Sequence, residues 1–374
     1  MTHEKKLIPG YLLLWLLLSH CVSPLDLPEG EVRPAVILSG LISNSQAQRS
    51  FQLYRNVGLS GERQPISGAT GEVFRDGAAW AELIEVEPGR YLLPRGFPIE
   101  AGRTYHVALT LDDGTSYQST PVQVPERLRT DSLSFAKERR VVGVSRTTGG
   151  PLRREVVEVY AHVTLPDPEE AVFYYRWQVD QVWAFTEIAK PASERAPGEP
   201  DRVQTCYLRR EESENPSTLL SSEGLGQAAI RVPVFSQIIN QEFAERHYIN
   251  VYLHAITEEA HEFYEQLERL EAIDGSLYDE IPAAVRGNVA NAADSSDFVL
   301  GFVEFSLADT ARLWLDPGRL GEPIRRPCLP VGGVSPCNPP PSRSPNDTTP
   351  YFCRCWDCDQ IYGFQTLVRP GFWE

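Results

Sequence analysis

Cysteine is the residue type whose number and spacing say most about the chemistry of this chain. Six of the seven cysteines lie beyond residue 200, and five of those six fall in the final quarter. They are Cys206, Cys328, Cys337, Cys353, Cys355 and Cys358. An even number of cysteines in an exported chain is typical of a disulfide framework. The sequence therefore predicts that the C-terminal segment is at least partly disulfide-bonded, with Cys206 as a candidate partner of the cluster.

Two other kinds of cysteine chemistry use the same residues. Cys353, Cys355 and Cys358, together with Cys328 or Cys337, have the residue types of a zinc site. A zinc ribbon has two C-x-x-C pairs, however, and only the CWDC segment that ends at Cys358 forms one. That segment also has the spacing of a thioredoxin motif, but not its βαβ context. Because an oxidising compartment works against free thiolates, we favour disulfides and assign no metal.

Histidines and nucleophile motifs give no catalytic assignment. The pair His261-Glu262 resembles the start of a zincin helix, but the position four residues after His261 is Glu265 and not a second histidine. A loose metal pair of His254 and His261 competes with the interpretation that both are solvated on an acidic surface. The sequence contains no G-x-S-x-G, P-loop or dinucleotide-binding motif. We therefore assign no catalytic residue and no cofactor, and we expect the protein not to be an enzyme.

The N-terminus has the form of an export signal. Lys5 and Lys6 precede the apolar run LLLWLLL, which is too short to span a bilayer. The run ends at LSHC, an order that resembles the bacterial lipobox, in which the cysteine is lipidated and the peptide before it is removed. We therefore predict that Cys21 carries the lipid, that residues 1–20 are removed, and that residues 21–34 form a proline-containing tether.

The residue after Cys21 and the overall charge bear on location and partners. Val22 is not the aspartate that retains such proteins in the inner membrane of enteric bacteria, so the outer membrane is favoured by analogy, with its periplasmic or cell-surface face left open. The chain has 35 Lys and Arg against 51 Asp and Glu, a formal net charge of −16. Such a charge disfavours contact with a phosphate backbone. We expect membrane contact through the lipid anchor and no nucleic-acid partner.

Residues 35–126 have the pattern of a small β-sandwich. Tyr105, Val107 and Leu109 alternate with more polar positions, which predicts a half-buried strand. The pair Asp113-Gly114 then supplies a tight hairpin turn. Short strands of this kind, separated by frequent turns, predict a sandwich of immunoglobulin or transthyretin-like type.

Residues 127–325 predict a larger β-rich domain. The segment VFYYRWQV at 172–179 is apolar on both faces and therefore predicts a central strand. Apolar residues at helical spacing predict an amphipathic helix near 257–273, capped by Thr257. The Pro- and Cys-rich residues 326–374 predict an irregular C-terminal segment. The fold class is thus mainly β, with one helix.

The order of these features resembles a lipoprotein family of the Bacteroidota that is catalogued as domain-of-unknown-function family 4249. The resemblance starts at Cys21 and covers nearly the whole mature chain. The matching segments are LDLPEG (25–30), PISGA (65–69), EPGRY (87–91), GRTY (102–105), DGTSY (113–117), STP (119–121), YYRW (174–177), RGNV (286–289), VLGF (299–302), CWDC (355–358) and PGFW (370–373). The family has no established activity, so the resemblance implies no catalytic residue. It implies an outer-membrane lipoprotein of a kind often encoded beside TonB-dependent transporters.

Two classes of function follow from these observations. The first is a non-enzymatic outer-membrane lipoprotein that is accessory to a TonB-dependent transporter or its ligand uptake. The alternative is a secreted, envelope-associated hydrolase or a carbohydrate-binding protein, since exposed Trp and Tyr side chains can stack on sugars. For Trp80 and Trp177, burial in a β core is the favoured interpretation.

Overall fold

The computed structural model describes residues 35–45, 48–57, 62–166, 171–186, 203–211, 218–225, 229–271, 285–321, 324 and 365–373. Helix α1 spans Glu258–Glu271. The strands, in chain order, are β1 (Val36–Ile42), β2 (Arg49–Val57), β3 (Glu62–Pro65), β4 (Thr70–Arg75), β5 (Ala78–Glu82), β6 (Ile84–Glu87), β7 (Arg90–Leu92), β8 (Thr104–Thr110), β9 (Ser116–Ser119), β10 (Val122–Gln123), β11 (Ser132–Val144), β12 (Pro151–Thr164), β13 (Tyr174–Thr186), β14 (Thr205–Glu211), β15 (Thr218–Ser221), β16 (Ala229–Ile238), β17 (His247–Ile256), β18 (Val289–Asn291), β19 (Val299–Leu300), β20 (Val303–Phe305), β21 (Leu307–Leu315) and β22 (Gln365–Leu367). The predicted fold class, mainly β with one amphipathic helix, is confirmed for the described residues.

The N-terminal unit is a sandwich of two sheets. Sheet A has the order β19-β1-β2-β7-β6, with β20 also on β1 and β3 also on β2. Sheet B has the order β18-β9-β8-β4-β5, with β10 also on β8. Strand β8 alternates between buried and half-buried residues as its sequence predicts, and Tyr105, Val107 and Leu109 are its buried side. These residues share one core with Leu38 and Phe51 of sheet A, so the hydrophobic effect holds the two sheets face to face.

The second unit is also a sandwich. Sheet C has the order β11-β12-β16, and sheet D has the order β21-β17-β13-β14-β22 with β15 also on β13. Strand β13 has hydrogen-bonded neighbours on both sides, which confirms the central strand predicted from its apolar sequence. Trp177 on β13 is buried between the sheets, as predicted, against residues such as Val159 of sheet C and Leu253 of sheet D.

Helix α1 lies close to its predicted position. Its first turn is capped by Thr257, whose hydroxyl accepts a hydrogen bond of 3.3 Å from the Ala260 amide. Phe263 is buried and stacks on Phe302 with ring centroids 4.7 Å apart. Since Phe302 lies between β19 and β20 of sheet A, the helix of the second unit packs on the first one.

Three late strands return to the first sandwich. Strands β19 and β20 pair in parallel with β1, and β18 pairs with β9. The predicted division into residues 35–126 and 127–325 assigns these strands to the second domain, whereas their pairing assigns them to the first. Gly301 separates β19 from β20 with a φ of +100°, and a side chain there would meet the Leu38 carbonyl oxygen at 2.2 Å. Only glycine allows this close approach. After β20 the chain enters sheet D at β21, with Ser306 as the one residue between the two strands.

The C-terminal segment departs from its predicted irregularity at one place. Residues 365–367 form β22, which pairs with β14 at the edge of sheet D. The predicted signal peptide and the tether lie outside the described residues, as do residues 326–364. Within the described part of the chain, no helix combines the length and apolar character needed to cross a membrane.

Candidate functional site

A buried charged cluster lies where sheet A meets sheet D. On β20, Val303 and Phe305 belong to the core of the first sandwich, so Glu304 between them projects from the opposite face. There it meets Arg176 of β13, whose Nη2 donates a hydrogen bond of 2.8 Å to Glu304 Oε2. The two side chains are only 3% and 2% exposed. We call Arg176, Glu304, Ser306, His254 and Tyr264 the joint cluster, because they join the two sandwiches.

Ser306 and His254 complete the polar contacts of Glu304. The Ser306 hydroxyl donates to Glu304 Oε1 at 2.7 Å, and His254 Nδ1 lies 2.9 Å from Ser306 Oγ. Since the serine proton points to Glu304, Nδ1 of His254 carries a proton and donates to the serine oxygen. The other ring nitrogen, Nε2, is buried and has no hydrogen-bond partner among the described residues. The expectation that His254 is solvated is wrong, because sheet A covers the polar side of its strand.

Burial sets the protonation states of the joint cluster. It lowers the pKa of His254 to about 3, although Glu304 acts in the opposite direction, so the imidazole is neutral at neutral pH. Burial alone raises the pKa of Glu304, but the positive charge of Arg176, helped by the hydrogen bond from Ser306, outweighs it and holds this pKa below its ordinary value. The Tyr264 ring lies 4.3 Å from the guanidinium carbon of Arg176, and burial raises the pKa of its hydroxyl. The cluster is therefore an ion pair with neutral neighbours.

Serine, histidine and glutamate together have the residue types of an acyl-transfer triad, but their arrangement differs from one. In a triad the serine donates to the histidine, and the carboxylate lies behind the histidine. Here Ser306 donates to Glu304, and His254 donates to Ser306. All three side chains are also sealed from solvent. This arrangement therefore differs from a triad both in its hydrogen-bond directions and in the burial of the serine, and its evident contribution is electrostatic.

A second polar cluster spans sheet D. Asp180 on β13 is buried and accepts from Arg209 Nη2 at 2.6 Å, Asn250 Nδ2 at 2.5 Å and the Tyr252 hydroxyl at 2.8 Å. Burial, with the nearby Asp180 charge, raises the pKa of Tyr252. Arg312 Nε donates to Asn250 Oδ1 at 2.6 Å and thereby extends this hydrogen-bond network to strand β21. The hydrogen bonds cross four adjacent strands and satisfy the buried carboxylate.

A group of aromatic side chains packs together at one end of the face of sheet D that carries Asp180. Trp373 is buried and makes edge contacts with Tyr207 at 5.0 Å and Tyr248 at 4.9 Å between ring centroids. Trp314 on the edge strand β21 is 47% exposed, with Arg246 at 5.4 Å from its ring centroid. Among the tryptophans in the described part of the chain, Trp314 is the exposed one.

The cysteines predicted to matter are mostly outside the described residues. That holds for Cys21 and for all five cysteines of the C-terminal cluster. Cys206 is buried and is one half of a disulfide. Because a disulfide sulfur has no proton, its 3.4 Å approach to the Phe185 carbonyl oxygen is a contact and not a hydrogen bond. The pairing pattern of the cysteines and the lipid on Cys21 stay predictions.

The loose metal pair is not assembled in the described residues. Nδ1 of His254 is hydrogen-bonded to Ser306, while the His261 ring lies 5.1 Å from the Tyr174 ring at a tilt of 46°. No group of three His, Cys, Asp or Glu side chains in the described part of the chain is close enough to hold a metal ion.

The joint cluster and Asp180 were missed from sequence. A signal does exist, since Arg176 lies between Tyr175 and Trp177, and Glu304 lies between Val303 and Phe305. A single charge inside an apolar strand is costly unless it is paired, so two such charges of opposite sign are candidates for each other.

Of the comparisons with known proteins, one identifies a family. A search of the curated proteins and of the solved structures found no match. The model of the family described as "Domain of unknown function (DUF4249)" matches residues 22–312, which is most of the chain. The chain therefore belongs to the DUF4249 family.

Proposed function

We propose that this protein is a non-enzymatic outer-membrane lipoprotein that works by contact, as an accessory of a TonB-dependent transporter or of its ligand uptake. The observation that carries the proposal is the joint cluster, a buried ion pair with its hydrogen-bonded neighbours that links the two sandwiches. We propose that this link keeps the two sandwiches in one arrangement, so that the binding surface is already formed and association costs less conformational entropy. The lipid anchor expected at Cys21 is the second part of the proposal.

Further hydrogen bonds link the two sandwiches. The Asn44 side chain bonds both backbone groups of Ala308, donating to its carbonyl at 3.0 Å and accepting from its amide at 2.7 Å. Gln48 Nε2 donates to Gln178 Oε1 at 2.7 Å. These contacts connect the β1–β2 hairpin of the first sandwich with sheet D of the second. Polar side chains that resemble catalytic machinery are thus used to fix the two units together.

Anchoring changes how strong a contact must be. An acylated Cys21 on a tether of residues 21–34 confines the protein to the membrane plane and raises its effective concentration near other membrane proteins. A weak contact then suffices for a lasting complex. Members of the resembling family are often encoded beside TonB-dependent transporters, and such a transporter is the partner we propose.

The test is co-purification from outer membranes in mild detergent, using the wild-type chain and two variants. Arg176→Met breaks the joint, whereas Arg269→Met removes an exposed partner of Glu265 on helix α1 and serves as the matched control. We expect a transporter barrel to co-purify with wild type and with Arg269→Met, and to be reduced with Arg176→Met. If no barrel co-purifies and the protein cleaves an envelope glycan, the hydrolase alternative replaces this proposal.

Carbohydrate binding is the second candidate, and exposed Trp314 favours it. Sugar rings stack on accessible aromatic faces, and the neighbouring Arg246 offers hydrogen-bond donors. The test is binding to envelope polysaccharides by wild type and Trp314→Ala, with the exposed Phe298→Ala as control. Loss of binding in Trp314→Ala alone supports this candidate, and equal behaviour of all three proteins contradicts it.

A further inference from the structure

Strands β11 and β12 form a two-stranded ribbon that extends beyond the rest of sheet C. They pair with each other from Ser132 and His162 to Val144 and Pro151. The third strand of the sheet, β16, pairs with β12 only over Val156–Thr164. Every residue from 139 to 144 is exposed. We call residues 137–155 the basic ribbon.

The basic ribbon has a charge opposite to that of the molecule. Its six basic residues, against two acidic ones, give a net charge of +4, so the remaining chain carries −20. The basic residues are Lys137, Arg139, Arg140, Arg146, Arg153 and Arg154. Lys137 pairs with Glu155, and Arg140 pairs with Glu138 and Glu158. The other four arginines make no ion pair within the described residues.

One cross-strand pair of arginines is unfavourable for folding alone. Arg154, which has no ion pair within the described residues, lies directly across the ribbon from Arg140, and like charges in that position are destabilising. The ion pairs of Arg140 with Glu138 and Glu158 offset only part of this cost. Proteins tend to keep an unfavourable local arrangement, such as like charges on directly opposite strand positions, where function requires it. The arginines are therefore candidates for binding an anion outside the molecule.

Apolar side chains accompany the arginines on the ribbon. Val141, Val142 and Val144 are 52%, 37% and 68% exposed. Neighbouring exposed valines and arginines have the composition of an interfacial element, in which apolar groups enter the headgroup region and cations stay at the phosphates. Guanidinium groups also bind phosphate in a bidentate manner.

We propose that the basic ribbon docks on the phosphate-bearing surface of a membrane, as a second contact beside the acyl anchor. A membrane is the one anionic surface that a lipid-anchored protein always faces. The negative remainder of the molecule is repelled from that surface, so docking through the ribbon fixes which side of the protein faces the bilayer. The inference goes beyond the proposed function and rests on the anchor only for delivery to the membrane.

The test measures vesicle binding without the acyl chain. The chain from residue 21 onward, carrying Cys21→Ser, is mixed with vesicles of phosphatidylethanolamine alone or with phosphatidylglycerol added, and bound protein is separated by flotation. The ribbon variant is Arg139→Gln/Arg153→Gln/Arg154→Gln. The matched control is Arg63→Gln/Arg95→Gln/Arg129→Gln, which removes the same charge from three exposed arginines elsewhere. Circular dichroism checks that both variants are folded.

We expect binding only where phosphatidylglycerol is present, weakened by salt, and reduced about a hundredfold in the ribbon variant, since each arginine near an anionic surface contributes about fivefold. The control variant should bind like the parent. Val144→Ser should weaken binding severalfold, because it removes an apolar side chain from the interface.

The proposal would be overturned if the two triple variants bound vesicles equally, or if binding were the same with and without phosphatidylglycerol. If the parent protein does not bind vesicles and the ribbon variant no longer co-purifies with the transporter, the partner of the basic ribbon is an acidic protein surface instead of a membrane. That outcome would overturn the membrane inference and leave the proposed transporter function intact, so the two failures are distinguishable.

Discussion

Replacement of Arg176 by methionine should lower the free energy of unfolding by about 3–5 kcal/mol, the cost of removing one partner of a buried ion pair. Methionine fills much of the arginine volume, so the change removes mainly charge and hydrogen bonds. Glu304 keeps the 2.7 Å hydrogen bond from Ser306 but loses the donor at 2.8 Å. Its side chain, 2% exposed, cannot recover the lost interaction from water.

The double variant separates the ion pair from the packing around it. Arg176→Met/Glu304→Gln removes both charges, and its destabilisation should be smaller than the sum of the two single changes by at least about 1 kcal/mol. The control Arg269→Met breaks an exposed i,i+4 pair with Glu265 and should cost less than about 0.5 kcal/mol. Urea unfolding followed by tryptophan fluorescence measures all four variants.

The pH dependence provides a second readout. Without Arg176, burial raises the pKa of Glu304 in the folded state above its unfolded value. The folded variant then gains a proton more readily than the unfolded chain, so its deficit against wild type is largest at neutral pH and shrinks as the pH falls towards 5. A deficit below about 1 kcal/mol, or one that does not change with pH, would refute the assignment of Arg176 and Glu304 as a buried ion pair.

Four other outcomes follow from the structure. Gly301→Ala should destabilise the protein by more than about 3 kcal/mol, because it combines a positive φ with a backbone clash, whereas Gly77→Ala, with open space around it, should cost about 1 kcal/mol in the same thermal melts. Burial lowers the pKa of His247 from 6.5 to about 4. Between pH 4 and pH 6.5, His247 is therefore protonated in the unfolded chain and neutral in the folded protein. Stability should therefore rise with pH across that window, and His247→Gln should flatten the slope of urea midpoints. Loss of the disulfide in Cys206→Ala should cost about 2–5 kcal/mol, and six free thiols in the denatured exported protein would contradict the predicted framework. Mass spectrometry should find the mature N-terminal peptide acylated at Cys21, and an unmodified Cys21 would refute that prediction.

Local patterns in the sequence were sufficient for the elements of this fold. The alternation around Val107 gives strand β8, and the spacing of Phe263 with the cap at Thr257 gives helix α1. Both signals depend on residues within a few positions of one another. The sequence was equally clear for Trp177, since a large apolar residue in a strand that is apolar on both faces belongs in a core.

Long-range pairing could not be obtained in the same way. The return of β18, β19 and β20 to the first sandwich depends on partners more than 150 positions away, such as Val36 with Val299. His254 was misjudged for the same reason, because its strand alternates correctly while the residues that cover its polar side come from sheet A. The joint cluster arises only when Arg176 and Glu304, 128 positions apart, meet.

Co-purification from outer membranes with the wild-type chain, Arg176→Met and Arg269→Met tests the central claim most directly. The account predicts that a TonB-dependent transporter accompanies wild type and Arg269→Met in mild detergent, and that Arg176→Met recovers less of it because the two sandwiches no longer form one rigid surface. Equal recovery with all three proteins would contradict the role of the joint, and recovery of no barrel with any of them would contradict the proposed function.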